Sequence, residues 1–208
     1  MTGPPVHPIE AESYAIIEAS VDLSRWRGDA RAVVARIVHA TADESFAGSL
    51  RIGDAALGSV VAALRGRATV VCDAAMVVAG VPRVAAITPV VCLLGEVPEA
   101  PAGSTRAAAA VEVAAGRHPR GAVWVIGNAP TALNRLIELH RRGRVEPAAV
   151  IALPVGYVGA AESKDALWRS PLRAVSITNA GRRGGSAAAA AALNALGRLV
   201  AGGPPARS

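Results

Sequence analysis

Short runs rich in valine and isoleucine alternate with alanine-rich stretches from residue 68 onward, and this alternation constrains the fold more than any other feature. The apolar runs occupy residues 68–72, 90–94, 122–126, 148–153 and 174–178. Because they mostly lack polar alternation, they suit strands buried on both faces of a parallel sheet. Helical stretches begin near Ser104, Thr131, Ala160 and Ser186. The order predicts an α/β fold, a single domain whose mainly parallel central sheet is flanked by helices.

Three helices are expected before the first strand. The first spans residues 9–21. The second begins near Asp29 and has one apolar face at helical spacing, made of Ala30, Val33, Val34, Ile37 and Val38. The third is expected to be capped by Asp54 and to end at Gly66, with Leu57, Val60, Val61 and Leu64 on its buried face.

No internal repeat or shift in composition marks a domain boundary, so one domain is expected over residues 1–208. Within it, residues 1–8 and 202–208 are expected to be flexible tails, and residues 96–103 a loop.

The basic charge of the chain favours anionic partners. There are 22 arginine and lysine residues against 16 acidic ones, a net charge of +6, and Lys164 is the sole lysine. Arginine is the better bidentate clamp for carboxylate and phosphate, although a GC-rich genome would also enrich arginine together with alanine. Only 3% of the residues are aromatic and the arginines are dispersed, so a nucleic-acid partner is not expected.

The two cysteines and the N-terminus indicate a cytoplasmic protein. Cys72 and Cys92 lie in valine-rich runs without metal-ligand spacing, which predicts two reduced, buried thiols, with a disulfide as the open alternative. Residues 1–8 do not resemble a secretory leader, and no run is long enough to span a membrane. We therefore expect no membrane association.

Ligands of open parallel sheets bind where strands end and helices begin. Three such places stand out at residues 72–76, 127–131 and 181–186. Gly127 to Thr131 could receive a carboxylate or be a plain strand-to-helix turn. Gly181 to Ser186 combines three glycines with two arginines and is the stronger anion candidate, with a solvated glycine turn as its alternative. Neither segment has the spacing of a nucleotide-binding loop.

Of the four histidines, His39 is the best candidate for proton transfer. His7 and His118 stand beside prolines in expected loops, and His140 has the position of a structural residue late on an amphipathic helix. His39 lies in the last turn of the second helix, where the helix macrodipole stabilises a protonated imidazole. An imidazolium beside an anionic ligand is a plausible general acid. No nucleophile elbow or metal-ligand motif is present, so no metal is expected.

Six segments together resemble the precorrin-8X methylmutase family of corrin biosynthesis, including its cobalt-precorrin-8 branch, over about Ile9 to Leu199. The segments are Ser13–Ile17, Val38–Thr41, Cys72–Val77, Gly127–Leu133, Pro154–Lys164 and Gly184–Ser186. The resemblance implies an isomerase of cobalamin biosynthesis that moves a methyl group from C-11 to C-12 of a corrin precursor by a 1,5-sigmatropic shift. The product would be hydrogenobyrinate or its cobalt counterpart, cobyrinate, and no cofactor would be required.

The resemblance also implies roles for individual residues. His39 would donate a proton to the macrocycle, while Ser13 and Arg106 would hold and polarise the substrate. Further substrate-binding positions are expected at Asp73, Thr105, Gly127, Asn128, Thr131, Gly159, Ser163, Lys164, Gly184, Gly185 and Ser186. The resemblance further implies a homodimer with its pocket at the interface. Neighbouring enzymes of the corrin pathway are possible partners.

Departures from the family pattern leave some contacts open. Glu12 and Ser104 stand where family members usually have arginine and asparagine, and residues 82–89 are shortened. Two other functions stay open: a non-catalytic corrinoid carrier, and an unrelated α/β enzyme that binds a phosphometabolite at Gly181 to Ser186. The sequence also leaves open whether the substrate carries cobalt.

Overall fold

The computed structural model describes residues 7–200, which form six strands and ten α-helices. The strands are β1 (Leu50–Ile52), β2 (Val70–Cys72), β3 (Val90–Val91), β4 (Val123–Ile126), β5 (Ala149–Ala152) and β6 (Ser176–Asn179). The helices are α1 (Pro8–Ser20), α2 (Gly28–Thr41), α3 (Ser45–Ser49), α4 (Ala56–Arg65), α5 (Ala75–Ala79), α6 (Pro82–Ala85), α7 (Arg106–Arg117), α8 (Pro130–Arg141), α9 (Ala160–Trp168) and α10 (Ser186–Val200).

The strands form one sheet in the order β1-β6-β5-β4-β2-β3. Every neighbouring pair is parallel except β1 with β6, which is antiparallel. The predicted α/β class and the mainly parallel sheet are therefore confirmed. Each of the five apolar runs contains or overlaps a strand, whereas β1, a three-residue strand at the edge of the sheet, was not predicted.

Side chains that alternate along the strands divide the interior into two cores. Val123 and Val125 face a core built with α1 to α6 and α10, whereas Trp124 and Ile126 face a core built with α7, α8 and α9. Both faces of the sheet are covered, as the non-alternating apolar runs predict. The molecule therefore has three layers, with the first helical layer containing His39 and the second containing the starts of α7 and α8.

The alanine-rich helix α10 packs very closely against its surroundings. Its segment Ala188–Ala192 is buried, and glycines stand opposite several of its residues. A Cβ atom added at Gly80 would lie 2.8 Å from the Cβ of Ala190, and one added at Gly197 would lie 2.8 Å from Cγ2 of Val84. Small side chains on both sides thus allow the backbones to approach.

The expected cap at Asp54 is wrong. Helix α4 begins after Ala55, which makes no side-chain cap, and the Asp54 side chain is exposed. The reason lies in the preceding backbone: the amides of Gly53 and Ala55 donate to the carbonyls of Ser176 and Ala174, so the helix can start only after this contact. The predicted end of the helix at Gly66 is confirmed.

The expected tails fall mainly on residues 1–6 and 202–208, which lie outside the described residues. His7 and Pro8 are described: Nδ1 of His7 caps α1, which begins at Pro8. Within residues 7–200, no helix combines the length and the hydropathy that crossing a bilayer requires.

Candidate active site

His39 and Ser13 meet across the contact between α1 and α2. The Ser13 Oγ and the His39 Nδ1 share a hydrogen bond of 2.8 Å. The Tyr14 ring stacks on the imidazole, with ring centroids 5.0 Å apart and planes inclined by 13°. These two contacts fix the orientation of the imidazole and occupy Nδ1, which leaves Nε2 as the nitrogen available to a ligand.

Glu10 joins two arginines next to His39. Its Oε1 accepts hydrogen bonds from Nη1 of Arg36 at 3.0 Å and from Nη2 of Arg198 at 2.8 Å. The hydrogen bond with Arg198 lowers the pKa of the Glu10 carboxyl, so Glu10 is ionised at neutral pH. Helices α1, α2 and α10 are thereby tied together beside the imidazole.

A cleft of about 490 Å³ opens at this cluster. It is lined by His7, Ile9, Glu10, Arg36, His39, Gly80, Pro82, Arg83, Asn194 and Arg198. Arg83 is exposed and has no hydrogen-bond or ion-pair partner among residues 7–200. Three guanidinium groups against one carboxylate make the cleft positive, which suits an anionic ligand.

The surroundings of His39 act on its pKa in opposite directions. Burial lowers the pKa of His39 below its ordinary value, and the Arg36 and Arg198 guanidinium groups lower it further, while Glu10 opposes them. His39 lies in the last turn of α2, as the sequence predicts.

Asp73 organises the loop that follows β4. Its carboxylate accepts backbone N–H bonds from Gly127 at 2.9 Å, Asn128 at 2.9 Å and Ala129 at 2.7 Å. Burial raises the pKa of the Asp73 carboxyl, and these amides oppose that rise. At Gly127 a Cβ atom would lie 2.9 Å from the Cβ of Ala189, so the close packing requires glycine. The contacts of Asp73 and Gly127 are thus internal to the protein.

The starts of α7 and α8 bring a second group of predicted residues together. The hydroxyls of Thr105 and Thr131 lie 2.7 Å apart, and the Thr105 Oγ1 also caps α7 by accepting from the amide of Ala108. Asn128 and Thr131 are exposed. Arg106 is exposed as well, but its guanidinium donates to the carbonyls of Val97 and Leu94.

Lys164 belongs to a third group, beneath the loop before α10. Its buried Nζ donates to Oδ1 of Asn179 at 3.0 Å and to the carbonyl of Arg183 at 2.6 Å. Burial lowers the pKa of Lys164 to about 8. Ser163 is also buried and donates to the carbonyl of Ala160. The geometry of these two side chains is therefore that of an internal support for the loop.

The loop from Gly181 to Ser186 is held mostly by contacts within the protein. The amide of Gly185 donates to the carbonyl of Leu153, and a Cβ atom at Gly184 would lie only 2.2 Å from that oxygen. The Arg183 side chain pairs with Asp43. Ser186 is buried at the start of α10, and Gly159 has a left-handed backbone before α9. These contacts do not favour a free phosphate site at this loop.

The remaining histidine and cysteine side chains lie apart from the cleft at His39. His140 Nδ1 contacts the carbonyl of Val145, as a structural histidine would. Cys72 is buried and Cys92 half-buried, both as free thiols. Within residues 7–200, no three histidine, cysteine or acidic side chains are grouped so as to hold a metal ion.

Comparison with known proteins decides the family. A model of the precorrin-8X methylmutase family matches residues 8–199. The chain is 43% identical over 197 residues to a precorrin-8X methylmutase of a Sinorhizobium species, covering 91% of this chain and 93% of that protein. The chain belongs to the precorrin-8X methylmutase family. The resemblance seen in the six sequence segments is confirmed, and with it the expectation of an isomerase of cobalamin biosynthesis.

Both branches of the precorrin-8X methylmutase family include similar proteins. A cobalt-precorrin-8 methylmutase of Methanothermobacter thermautotrophicus is 42% identical over 180 residues, covering 85% of this chain and 84% of that protein. The crystal structure of a precorrin-8X methylmutase from Thermus thermophilus superposes with a TM-score of 0.83 at 35% identity, covering 93% of this chain and 96% of that one.

His39 and Ser13, both predicted from the sequence, meet at the cleft, but the charged residues around them were not predicted. Arg36 precedes His39 by three residues, so helical spacing alone puts both on one side of α2. No sequence pattern indicated the other three charged residues, because only the packing of α1, α6 and α10 brings them to the cleft. They are Glu10, Arg83 and Arg198.

Replacing Asp73 with asparagine tests its role in shaping this methylmutase fold. Asparagine supplies one acceptor oxygen and turns an NH₂ group toward amides that need an acceptor. We expect Asp73→Asn to lower the free energy of unfolding by about 1–3 kcal/mol, measured by urea denaturation. The matched control is Asp54→Asn on the exposed surface, with an expected change within about 0.5 kcal/mol. Equal stability of the two variants would show that the three amides need no carboxylate.

Proposed function

We propose that this protein catalyses the 1,5-shift of a methyl group from C-11 to C-12 of precorrin-8X, or of its cobalt-containing counterpart, to give hydrogenobyrinate or cobyrinate. The observation that carries the proposal is the His39–Ser13 pair on the wall of a positive cleft, in a chain of this family. The related proteins bear names from both branches, so any cobalt would enter as part of the substrate.

The charge of the cleft supports a corrin substrate. A corrin precursor is a ring edged with acetate and propionate groups, so it presents carboxylates in several directions. Arg83 offers a guanidinium that pairs with no side chain of residues 7–200, and Arg198 donates a hydrogen bond to Glu10 through one of its nitrogens. Both can receive bidentate carboxylates at the rim of the cleft.

His39 is proposed as the proton donor that promotes the rearrangement. With Nδ1 occupied by Ser13, Nε2 is the nitrogen that delivers a proton to the bound ring. Because the shift is intramolecular, the remaining acceleration must come from binding the distorted, protonated ring more tightly than the resting ring. Ser13 acts by holding the imidazole at the correct angle.

Removing the imidazole should slow the methyl shift. We expect His39→Ala to lower the single-turnover rate by about a hundredfold or more, the usual scale for one general acid. The rate is followed by the absorbance change of metal-free and of cobalt-loaded precursor in parallel. His118→Ala is the control, since His118 ends α7 in the other helical layer. Equal rates for wild type and His39→Ala would remove His39 from the mechanism, whereas corrinoid binding without any turnover by the wild-type protein would favour the non-catalytic carrier.

We also propose a homodimer whose two chains share each substrate site. His39 lies in the first helical layer, whereas Thr105, Arg106 and Thr131 lie at the helix starts of the second. Because the two groups belong to helical layers on opposite faces of the sheet, we propose that the ring contacts one group from each chain. Exposed apolar side chains near each group support an interface: Ile9 is 70% exposed on α1, and Tyr157 is 86% exposed after β5.

Mixing two impaired variants tests the shared site. If His39 from one chain and Arg106 from its partner serve the same site, mixed dimers of His39→Ala and Arg106→Gln each contain one intact site. Random reassortment should then restore about a quarter of wild-type activity. Sedimentation gives the mass, expected to be twice 21.0 kDa. A monomeric mass with concentration-independent activity, or no recovery on mixing, would contradict the proposal.

We propose a cytoplasmic location for this reaction. The free thiols of Cys72 and Cys92, on neighbouring strand ends, are typical of a reducing compartment. Neighbouring enzymes of corrin synthesis would be the proteins that hand over the substrate and receive the product.

A further inference from the structure

We propose that Glu10 and the two arginines it joins control the proton on His39, so that the imidazole becomes charged only when carboxylates of the substrate dock at the cleft. The inference rests on the proposed function, because it describes how the donor of that reaction is loaded. Glu10 and Arg36 act through His39 and are positioning residues in this scheme, whereas Arg198 also binds a substrate carboxylate.

The carboxylate of Glu10 and the guanidinium groups of Arg36 and Arg198 form one compact charged cluster. Both guanidinium groups bond the same Oε1 atom of Glu10, and the side chains of Glu10, Arg36 and Arg198 are between 23% and 33% exposed. A partly buried cluster of this kind is screened less by water than a surface pair, so its net charge acts on its neighbours.

The groups that face His39 come from every element around it. Glu10, Ser13 and Tyr14 belong to α1, and Arg36 belongs to α2 itself. Arg83 lines the cleft from α6, Arg198 from α10, and His7 stands before α1. Among the described residues, Glu10 is the one carboxylate lining the cleft, against three guanidinium groups.

This balance disfavours a positive charge on the imidazole beside the guanidinium groups. Burial and the charges of Arg36 and Arg198 keep the pKa of His39 low, and Glu10 offsets them only in part. A substrate carboxylate that binds Arg83 or Arg198 adds negative charge beside the imidazole. This charge raises the pKa of His39 and favours the imidazolium form.

The proton is conserved through the cycle. On docking, neutral His39 takes one proton from water. The proton then leaves Nε2 for the macrocycle, and the electrons of the broken N–H bond remain on Nε2 of the imidazole. After the methyl group has moved, the product ring loses a proton, so the isomerisation consumes no net acid. In this scheme the imidazole carries the transferable proton while a polycarboxylate is bound.

The first test titrates His39 by NMR in the protein without ligand. We expect Arg198→Gln to raise the pKa of His39 by about half a pH unit or more, since one positive charge is removed a short distance away. Glu10→Gln should lower it, and Arg36→Gln repeats the arginine test from α2. Arg141→Gln, an exposed arginine of α8 in the other layer, should leave the pKa of His39 unchanged. Unchanged titration in both arginine variants would overturn the proposal.

The second test adds uroporphyrin, a planar tetrapyrrole with acetate and propionate groups, to the wild-type protein and to an Arg83→Gln, Arg198→Gln variant. A rise in the pKa of His39 in wild type, with a smaller rise or none in the variant, supports the proposal. An unchanged pKa of His39 at saturating uroporphyrin overturns it. Neither test requires methyl transfer. If the pKa of His39 shifts as expected but the protein does not catalyse the methyl shift, the proposed function is refuted and the control of the His39 proton is not.

Discussion

The close approach of α10 to the sheet and to α2 is the constraint on which the rest of the structure depends. Alanines on the helix and glycines opposite it remove the side-chain volume that would keep the backbones apart. A larger residue at Gly80 or Gly127 would push against α10 itself. The low aromatic content of the chain thus corresponds to a core in which helices are positioned by contact between small groups.

This packing places the far end of α10 at the cleft beside His39. Arg198 can bond Glu10 of α1 only because α10 lies against α2, which carries Arg36 and His39. Asn194, one turn earlier, donates to the carbonyl of Gly80 and holds the neighbouring wall. Glu10 and Arg198, which are far apart in the sequence, therefore both place charges near the His39 imidazole. A shift of α10 would move the Arg198 guanidinium relative to that imidazole.

The sequence predicted what local patterns can encode. Non-alternating apolar runs located the strands, and helical spacing placed His39 in the last turn of α2. It did not reveal what acts on the pKa of His39, because burial of the imidazole and the contact of Arg198 with Glu10 depend on tertiary packing. Asp73 and Lys164 were predicted as ligands of the substrate, yet their contacts lie inside the protein: three amides for the carboxylate, and Asn179 with the Arg183 carbonyl for the amine. Spacing in the sequence does not distinguish a residue that binds substrate from one that holds the binding loop.

The most direct measurement of the central claim is a crystal structure of the protein with its corrin product bound. We expect that the ring contacts Nε2 of His39, that the hydrogen bond between Ser13 and Nδ1 is kept, and that carboxylates of the ring bind Arg83 or Arg198. A ring bound at the loop from Gly181 to Ser186, with the cleft at His39 left open, would contradict the proposed role of His39.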